Sequence, residues 1–441
     1  MHKHTLNIVT LGCSKNRVDS EKLLKQAENS GYRVLHDREE ADSDIVIINT
    51  CGFINDAKEE SIDTILRFSQ ARERGEIGKL YVMGCLSERY RDDLRSEIPV
   101  VDSWFGVNDP AAIMRSLGGE YRDKLYSERI ITTPGHYAYL KVSEGCNRTC
   151  AFCAIPGIRG KYISSSIDDM AAESTALAAA GVKELIIIAQ DLSYYGIDLY
   201  GRQMLLPLLE RLSAIEGIRW IRLHYLYPTN FPENLIEYIR DNPKICPYID
   251  LPVQHISDKV LKMMRRSHSG TETRRLLEKI RKELPGAAIR TTLITGHPGE
   301  GEKEYRELKE FVREFRFNRL GVFTYSHEED TYGYLNYSDS VSNRLKRSRA
   351  DEIMTIQQQI SEELNGEIKG LETDVIIDRK EGIWMVGRTR HDSPEVDQEV
   401  LIPLAGSSIS PGDIIRVKIT GSTEFDLLGK RVSLKSAGIP K

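Results

Sequence analysis

The stretch from residue 137 to residue 153 reads YAYLKVSEGCNRTCAFC. Residues 137–142 form a strand candidate, and Cys146, Cys150 and Cys153 follow it with the spacing CxxxCxxC. Three thiolates on one short loop can bind three irons of a four-iron cube and leave the fourth without a protein ligand. Structural zinc is the alternative, but it prefers four closed ligands, usually in CxxC pairs. No fourth Cys or His lies close to this loop in the sequence.

Five more strand candidates follow this first one and alternate with helical segments. The strands are predicted at 184–189, 219–225, 248–253, 288–294 and 320–325, and helices at 171–180, 232–240, 270–284 and 302–316. Six β/α repeats are too few for an eight-stranded barrel, so the sequence predicts a partial (β/α)6 barrel of the TIM type. The site of such a barrel is expected at the carboxyl ends of its strands.

The first hundred residues also alternate strands and helices. Strands are predicted at 6–11, 44–50 and 80–83, which favours a Rossmann- or flavodoxin-like parallel sheet. Each strand runs directly into a cysteine: Cys13, Cys51 and Cys85. Because parallel strands end at one edge of a sheet, we expect these three thiols to lie close together. The alternative is three buried structural thiols, since free cysteine is common in protein cores.

The last part of the chain has a different pattern. An amphipathic helix is predicted over 342–367, followed by short strands at 373–377, 383–387, 399–402, 414–420 and 431–434. Five such strands predict a small antiparallel β-barrel. The predicted fold class is therefore α/β with a C-terminal β-barrel, and the predicted domains span 1–120, 132–365 and 370–441.

Composition narrows the class of protein. The chain has 441 residues, a formal net charge of -5 and seven cysteines. No apolar run is long enough to span a membrane, and the N-terminus enters the first strand without room for a signal peptide. We therefore expect a cytoplasmic protein, whose cysteines serve metal binding or catalysis rather than disulfides. The mildly acidic charge weakens nucleic-acid binding as a default function.

The CxxxCxxC loop and its barrel resemble the radical S-adenosylmethionine (radical SAM) superfamily. The first trio, Cys13, Cys51 and Cys85, together with a small TRAM-like barrel, makes the whole chain resemble the methylthiotransferases of that superfamily. The resemblance implies two [4Fe–4S] clusters, an auxiliary one on this trio and the radical SAM cluster on Cys146, Cys150 and Cys153. It also implies that SAM serves both as methyl donor and as radical source. The cofactors then carry the chemistry, without a side chain acting as acid or base.

SAM contacts are predicted at positions near the barrel strands. The candidates are Gln190, Gln254, Arg290 and Gly296. Residues 291–300 resemble the superfamily segment that packs near the adenine. The alternative for each candidate is an ordinary residue at a strand end.

Two branches of the family differ in substrate. Residues 13–21, 51–54, 191–196 and 387–397 resemble the RimO-type branch, which modifies the β-carbon of an aspartate in a small-subunit ribosomal protein of the S-twelve type. Proline is more usual than Ser14 at its position. Residues 371–441 carry eleven Asp/Glu against ten Lys/Arg, where a barrel that grips transfer RNA should be basic. The acidic residues Asp392, Glu395, Asp397 and Glu399 are expected to suit a basic ribosomal protein, although they also fit a solvated loop.

Other functions remain open at this point. One alternative is a MiaB-like methylthiotransferase that acts on an adenosine of transfer RNA. Another is a nucleic-acid-binding module whose cysteines hold structural zinc. The expected partners of the enzyme are a ribosomal protein or the ribosome, a reductant and a sulfur donor protein. The oligomeric state is not predicted, and Cys246 is interpreted as a packing residue.

Overall fold

The structure is a computed structural model that describes residues 4–125, 127–404, 409–423 and 425–432. Contacts divide the chain into two compact units. The first unit contains Met1–Gly217 and Ser326–Ser338, and the second contains Ile218–Tyr325 and Asp339–Lys441. Both predicted cysteine trios belong to the first unit, whereas Cys246 belongs to the second.

The strands are, in chain order, β1 (Thr5–Thr10), β2 (Arg33–His36), β3 (Ile45–Thr50), β4 (Lys79–Gly84), β5 (Ser103–Trp104), β6 (Tyr137–Lys141), β7 (Ser143–Glu144), β8 (Ile163–Ser164), β9 (Glu184–Ile188), β10 (Trp220–Leu223), β11 (Tyr248–Asp250), β12 (Ala288–Thr295), β13 (Arg319–Thr324), β14 (Glu372–Glu381), β15 (Trp384–Thr389), β16 (Val400–Pro403), β17 (Ile414–Ser422) and β18 (Leu427–Arg431).

The α-helices are α1 (Ser14–Asn29), α2 (Asn55–Glu73), α3 (Cys85–Glu97), α4 (Pro110–Ser116), α5 (Ile155–Arg159), α6 (Ile167–Ala179), α7 (Ile197–Tyr200), α8 (Leu205–Ser213), α9 (Leu235–Asp241), α10 (Asp258–Met263), α11 (Gly270–Glu283), α12 (Glu302–Phe315), α13 (Tyr332–Asn336) and α14 (Asn343–Glu367). Short 3-10 helices span Asp123–Leu125 and Leu192–Tyr194.

The first unit begins with a parallel sheet in the strand order β2-β1-β3-β4-β5. This is the flavodoxin-like order, in which a ligand site lies at the carboxyl ends of the strands. Strands β2 and β5 were not predicted from the sequence. β2 is a short edge strand with exposed ends, and β5 has only two residues, so neither carries a clear apolar run.

Apolar side chains cover both faces of this sheet. Val46 and Ile48 of β3 pack on one face with Phe68 of α2, whereas Ile47 packs on the other face with Leu23 of α1. A strand buried on both faces reads as a continuous apolar run, as residues 45–48 do. The sheet therefore holds the carboxyl ends of β1, β3 and β4 side by side.

All six strands predicted for the partial barrel are present. β6 and β9 pair in parallel in the first unit. β11, β12 and β13 pair in parallel in the second unit, where β10 also lies. The prediction of α/β architecture in this region is confirmed.

The second unit also contains a closed five-stranded barrel in the order β14-β15-β16-β18-β17. The predicted small barrel is confirmed, with two corrections. β16 and β18 pair in parallel, whereas every pairing was expected to be antiparallel. The last strand begins at Leu427 rather than at residue 431, because Leu427 fills the barrel core and Gly429 lies against Val417. Positions 433 and 434 of the predicted strand lie outside the described residues.

The helix predicted over 342–367 is present as α14. The Ser342 side chain caps its amino end by accepting a hydrogen bond from the Leu345 backbone N–H at 3.4 Å. The apolar stripe predicted for this helix is Ile353, Ile356, Ile360 and Leu364; the three isoleucines are buried, whereas Leu364 is only partly buried.

Candidate active site at the two cysteine loops

The first cysteine trio lies at one edge of the N-terminal sheet. β1, β3 and β4 are neighbours in the sheet. Cys51 directly follows β3 and Cys85 directly follows β4, whereas Cys13 lies three residues after the end of β1. Thr50 is in register with Gly84, so Cys51 and Cys85 leave the sheet at the same level. The predicted convergence of the three loops is therefore present in the structure.

Two glycines allow these loops to approach closely. Gly12 has a φ of +87°, and a Cβ there would lie 2.8 Å from the Sγ of Cys51. Gly84 has a φ of +98°, and its Cβ would lie 2.5 Å from the Thr50 carbonyl oxygen. Any other residue at either position would clash with the backbone or thiol of the Cys51 loop. The small residues beside the cysteines thus have a specific steric role.

The thiols of this trio are close enough to affect one another electrostatically. Burial raises the pKa of Cys85 to about 12; the neighbouring thiols of Cys13 and Cys51 contribute to this rise, and the Arg159 guanidinium opposes it. Burial likewise raises the pKa of Cys51. Without iron the Cys51 and Cys85 thiols hold their protons at neutral pH, and cluster binding must release them.

Asn16 ties the ends of two strands together. Its Nδ2 donates to the carbonyl oxygens of Leu11 at 2.9 Å and Thr50 at 3.0 Å. Its own carbonyl oxygen accepts from Nδ2 of Asn49 at 2.9 Å. Asn16 is completely buried, so these bonds are shielded from water. They fix the backbone that immediately precedes Cys51.

The second trio, Cys146, Cys150 and Cys153, lies on the loop between β7 and α5. The Cys146 N–H donates to the Gly160 carbonyl at 3.1 Å, and the Cys153 N–H donates to the Cys150 carbonyl at 3.1 Å. The Sγ of Cys146 accepts from the backbone N–H of Arg148 at 3.4 Å. Burial raises the pKa of Cys146 to about 11.

Arg148 also anchors this loop to the end of β9. Its Nε donates to Oδ2 of Asp191 at 2.8 Å, and Asp191 is buried. The Tyr162 hydroxyl donates to the Asp191 carbonyl at 3.0 Å. The ion pair therefore holds the residue that lies between Cys146 and Cys150 against the barrel strand.

Both trios have the donor chemistry of an iron–sulfur cluster. Three thiolates bind three different irons of a cube, so they need not meet at a single point. Among the described residues, no group of three or more His, Cys, Asp or Glu side chains is arranged to hold a single metal ion. The thiol sets and the nearby Arg159 cation fit an anionic cluster ligated by three cysteines.

Arg159 joins the two cysteine motifs within the first unit. Its Nη2 donates to Oδ1 of Asn16 at 2.5 Å, and its Nη1 donates to Oε1 of Glu144 at 2.8 Å. Its side chain is 1% exposed. Ile158, the preceding residue, packs against Cys85. The helix after the second trio is therefore packed directly on the first trio.

A partly buried group of charges surrounds Arg159. Lys141 pairs with Asp19 and, at 2.6 Å, with Glu144. Burial opposes ionisation of Glu144, but the Lys141 and Arg159 charges hold its pKa down to about 2. The sequence alone predicts no role for Asn16, Arg159 or this charge group. Asn16 and Asp19 do lie in residues 13–21, which carry part of the family resemblance.

The predicted SAM contacts are divided between the units. Gln190 follows β9 in the first unit, whereas Gln254, Arg290 and Gly296 belong to the second. Gln254 has a φ of +68° and bridges to Leu293 of β12. These positions remain predictions.

Arg290 and Gly296 have partners within the second unit. The Nη1 of Arg290 donates to Oδ1 of Asp250 at 3.0 Å. Gly296 has a φ of +76°, and a Cβ there would lie 2.2 Å from Cγ of Lys346. Arg290 lies near the start of β12 and Gly296 directly follows its end, so the two residues are about 20 Å apart along the strand. Gly296 is thus required by packing, whatever it binds.

The acidic residues of the small barrel are not a surface cluster. Asp392 pairs with Arg319, Asp397 accepts from the Tyr248 hydroxyl at 2.7 Å, and Glu399 pairs with Arg379 at 2.5 Å. Only Glu395 among the four predicted acids is exposed. Asp392 and Asp397 therefore cannot attract a basic protein at the surface, and that part of the expectation is wrong, because both are paired inside the second unit.

Cys246 lies in the second unit, fully buried against Trp220 and Tyr248. This environment is that of a packing residue.

Three parts of the chain match known protein families. Residues 140–312 match the radical SAM superfamily, residues 370–432 match the TRAM domain, and residues 5–106 match a family described as Uncharacterized protein family UPF0004. The chain is therefore a radical SAM enzyme, a class that uses a [4Fe–4S] cluster and SAM.

Full-length relatives define the family more narrowly. A protein of Bacteroides fragilis named ribosomal protein uS12 methylthiotransferase RimO is 53% identical over 98% of this chain and 100% of its own length. Proteins of the same name from Flavobacterium psychrophilum and Christiangramia forsetii are 52% and 51% identical over 98% of this chain, and over 98% and 96% of their own lengths. The chain belongs to the RimO family of radical SAM methylthiotransferases.

Solved structures show the same fold at low identity. The radical SAM methyltransferase TsrM from Kitasatospora setae matches with a TM-score of 0.54 and 12% identity, over 73% of each chain. The cobalamin-dependent SAM radical enzyme OxsB matches with a TM-score of 0.53 and 12% identity, over 81% of this chain and 56% of its own. Across the described part of the chain, no helix has both the length and the apolar character needed to cross a membrane.

Proposed function

We propose that this protein attaches a methylthio group to the β-carbon of an aspartate in ribosomal protein uS12. The observation that carries the proposal is the packing of the two cysteine trios within one compact unit. Arg159, six residues after Cys153, donates to Asn16, three residues after Cys13. This contact places the two sets of thiols on neighbouring elements, as a reaction that uses both requires.

We propose that each trio holds one [4Fe–4S] cluster. Cys13, Cys51 and Cys85 would ligate the auxiliary cluster, and Cys146, Cys150 and Cys153 the radical SAM cluster. When bound, the clusters supply the electron that cleaves SAM and an open iron for the sulfur that is transferred.

The protein supplies shielding and positioning. Cys51 and Cys85 are buried, which keeps water from two of the three thiols of the first trio. Arg159 brings a fixed positive charge beside thiolates that would otherwise repel one another. Arg148 fixes the second loop from both sides, through its N–H to Cys146 and its guanidinium to Asp191. No side chain is required as a general acid or base.

SAM contacts are proposed at Gln190, Gln254 and Gly296, at or beyond strand ends, where barrels of this class bind ligands. Arg290 remains a candidate whose charge is already paired with Asp250. A reductant and a sulfur donor protein complete the proposed set of partners. Since the proposed substrate is a ribosomal protein, we place the enzyme in the cytoplasm.

Support for uS12 over transfer RNA comes from the relatives. The three relatives described above are named as uS12 methylthiotransferases, and their similarity extends over nearly the whole chain. The near balance of charge in residues 371–441 also gives an RNA backbone little to bind.

The test uses the full chain reconstituted with iron and sulfide without oxygen. The enzyme is incubated with SAM and a reductant, in one reaction with uS12 and in another with unmodified transfer RNA. Mass spectrometry should find a gain of one sulfur and one CH2 on an aspartate of uS12. The gain on an adenosine of transfer RNA, with none on uS12, would overturn the proposal in favour of the alternative branch.

A further inference from the structure

The segment Ser326–Ser338 belongs to the first unit, although the residues on both sides of it belong to the second. It follows β13, the last of the six strands predicted for the partial barrel, and contains the short helix α13. Its backbone contacts the second cysteine loop directly, and Arg89 links it to the first cysteine loop. We call it the bridging segment.

One end of the bridging segment is anchored beside Cys51. Glu328 has a side chain only 4% exposed and accepts from Lys58 Nζ and Arg89 Nη1, each at 2.9 Å. The same Nη1 donates to the carbonyl oxygen of Gly52 at 2.9 Å. Nη2 of Arg89 donates to the Glu329 carbonyl at 3.1 Å. Arg89 thus connects the loop of the first trio to the bridging segment.

The other end is anchored on the second trio. The N–H of Gly333 donates to the carbonyl oxygen of Ala151 at 2.7 Å, and Ala151 lies between Cys150 and Cys153. The Thr331 hydroxyl accepts from the Tyr334 N–H at 3.2 Å and caps α13. The segment is therefore held at the rim of both loops by buried or backbone contacts.

The outward surface of the bridging segment is apolar and acidic. Tyr332, Tyr334 and Leu335 are 40%, 43% and 70% exposed. Glu329 and Asp330 are exposed beside them in the chain. No Lys or Arg occurs in residues 326–343. Large exposed apolar residues next to a reaction site are a mark of a binding surface.

This chemistry fits one kind of partner. Phosphate polymers are bound by Lys and Arg, and acids beside the aromatic rings would repel them. A basic polypeptide is attracted to the acids, and its Lys and Arg side chains can lie on tyrosine faces. We propose that the bridging segment is the docking surface for a basic loop of the protein substrate. This proposal rests on the proposed function, since it requires a protein substrate.

The test measures KM and kcat for uS12 with two double variants of the full enzyme. Tyr334→Ser with Leu335→Ser removes apolar area, and Glu329→Lys with Asp330→Lys reverses the charge. Each should raise KM about tenfold and leave kcat within about threefold, since docking residues act on binding. The control is Ile383→Ser, a residue that is 71% exposed in the small barrel and should leave KM unchanged.

Iron content and unfolding temperature of each variant are measured in the same preparations, so that a folding defect is recognised. In the charge-reversed variant, the KM for uS12 should also no longer depend on salt concentration, because the attraction that the variant removes is the one that ions screen. Unchanged KM in both variants, with wild-type modification of uS12 intact, would overturn the docking surface alone. Failure of the wild-type enzyme to modify uS12 would overturn the proposed function, and the docking surface with it. If transfer RNA is the substrate that is modified, and the charge-reversed variant has a lower KM for it, both the proposed function and the docking surface would also be overturned.

Discussion

Nη2 of Arg159 lies 2.5 Å from Oδ1 of Asn16, with the Arg159 side chain fully buried. Asn16 in turn holds the end of β3 through the Thr50 carbonyl. Two consecutive hydrogen bonds through Asn16 thus connect the helix that follows the radical SAM motif to the backbone that carries Cys51. The two proposed cluster sites are coupled through this pair of side chains.

Replacing Arg159 should destabilise the first unit. Arg159→Met leaves the partly buried Glu144 with one cationic partner instead of two and removes the guanidinium donor from Oδ1 of Asn16. We expect a loss of about 3–5 kcal/mol in the free energy of unfolding of the iron-free protein. Urea unfolding followed by circular dichroism measures this loss. Arg74→Met is the control, since the Arg74–Glu76 pair is exposed. Equal curves for the two variants would show that the buried pair does not stabilise the unit.

Cys146→Ala should abolish cleavage of SAM to 5′-deoxyadenosine, because the proposed radical SAM cluster loses a ligand. Chromatography of the nucleoside product measures the reaction. Cys246→Ala removes a buried thiol that contacts Trp220 and Tyr248, and cleavage should persist there. Cleavage that survives in Cys146→Ala would remove this residue from the cluster.

Cys51→Ala should separate the two halves of the reaction. SAM cleavage should continue at the second trio, whereas the methylthio product should disappear. Both products are measured from one reaction, by chromatography and by mass spectrometry of uS12. Continued formation of methylthio product would refute the role proposed for the first trio.

Gly296→Ala should destabilise the protein even in the absence of SAM. The residue has a φ of +76°, and an added Cβ would lie 2.2 Å from Lys346. The expected loss in the free energy of unfolding is about 1–3 kcal/mol. The matched control is Gly321→Ala, because nothing lies within 4 Å of a Cβ at Gly321. If the two variants unfold alike and only SAM affinity falls, Gly296 serves binding rather than packing.

Much of the fold follows from local sequence patterns. Residues 45–48 are a continuous apolar run because β3 is covered on both faces, and the six barrel strands were identified by their alternation with helices. The edge strand β2 was missed because its side chains are half exposed. β18 was placed four residues too late, since only the barrel core shows that Leu427 is buried.

The site was predictable as far as its cysteines. Strand-to-cysteine junctions locate Cys13, Cys51 and Cys85 at one sheet edge, because parallel strands share a direction. Sequence does not show which polar side chains are buried, so the pairing of Arg159 with Asn16 could not be foreseen. For the same reason, Asp392 and Asp397 looked like surface acids although both are paired inside the second unit.

The proposed function requires that each of the two trios holds a four-iron cluster. Iron analysis with Mössbauer spectroscopy on the anaerobically reconstituted chain tests it directly. We predict about eight irons per chain in two [4Fe–4S] clusters, and about four when Cys13, Cys51 and Cys85 are all replaced by alanine. A wild-type chain that holds only four irons, or a triple variant that still holds eight, would contradict the claim.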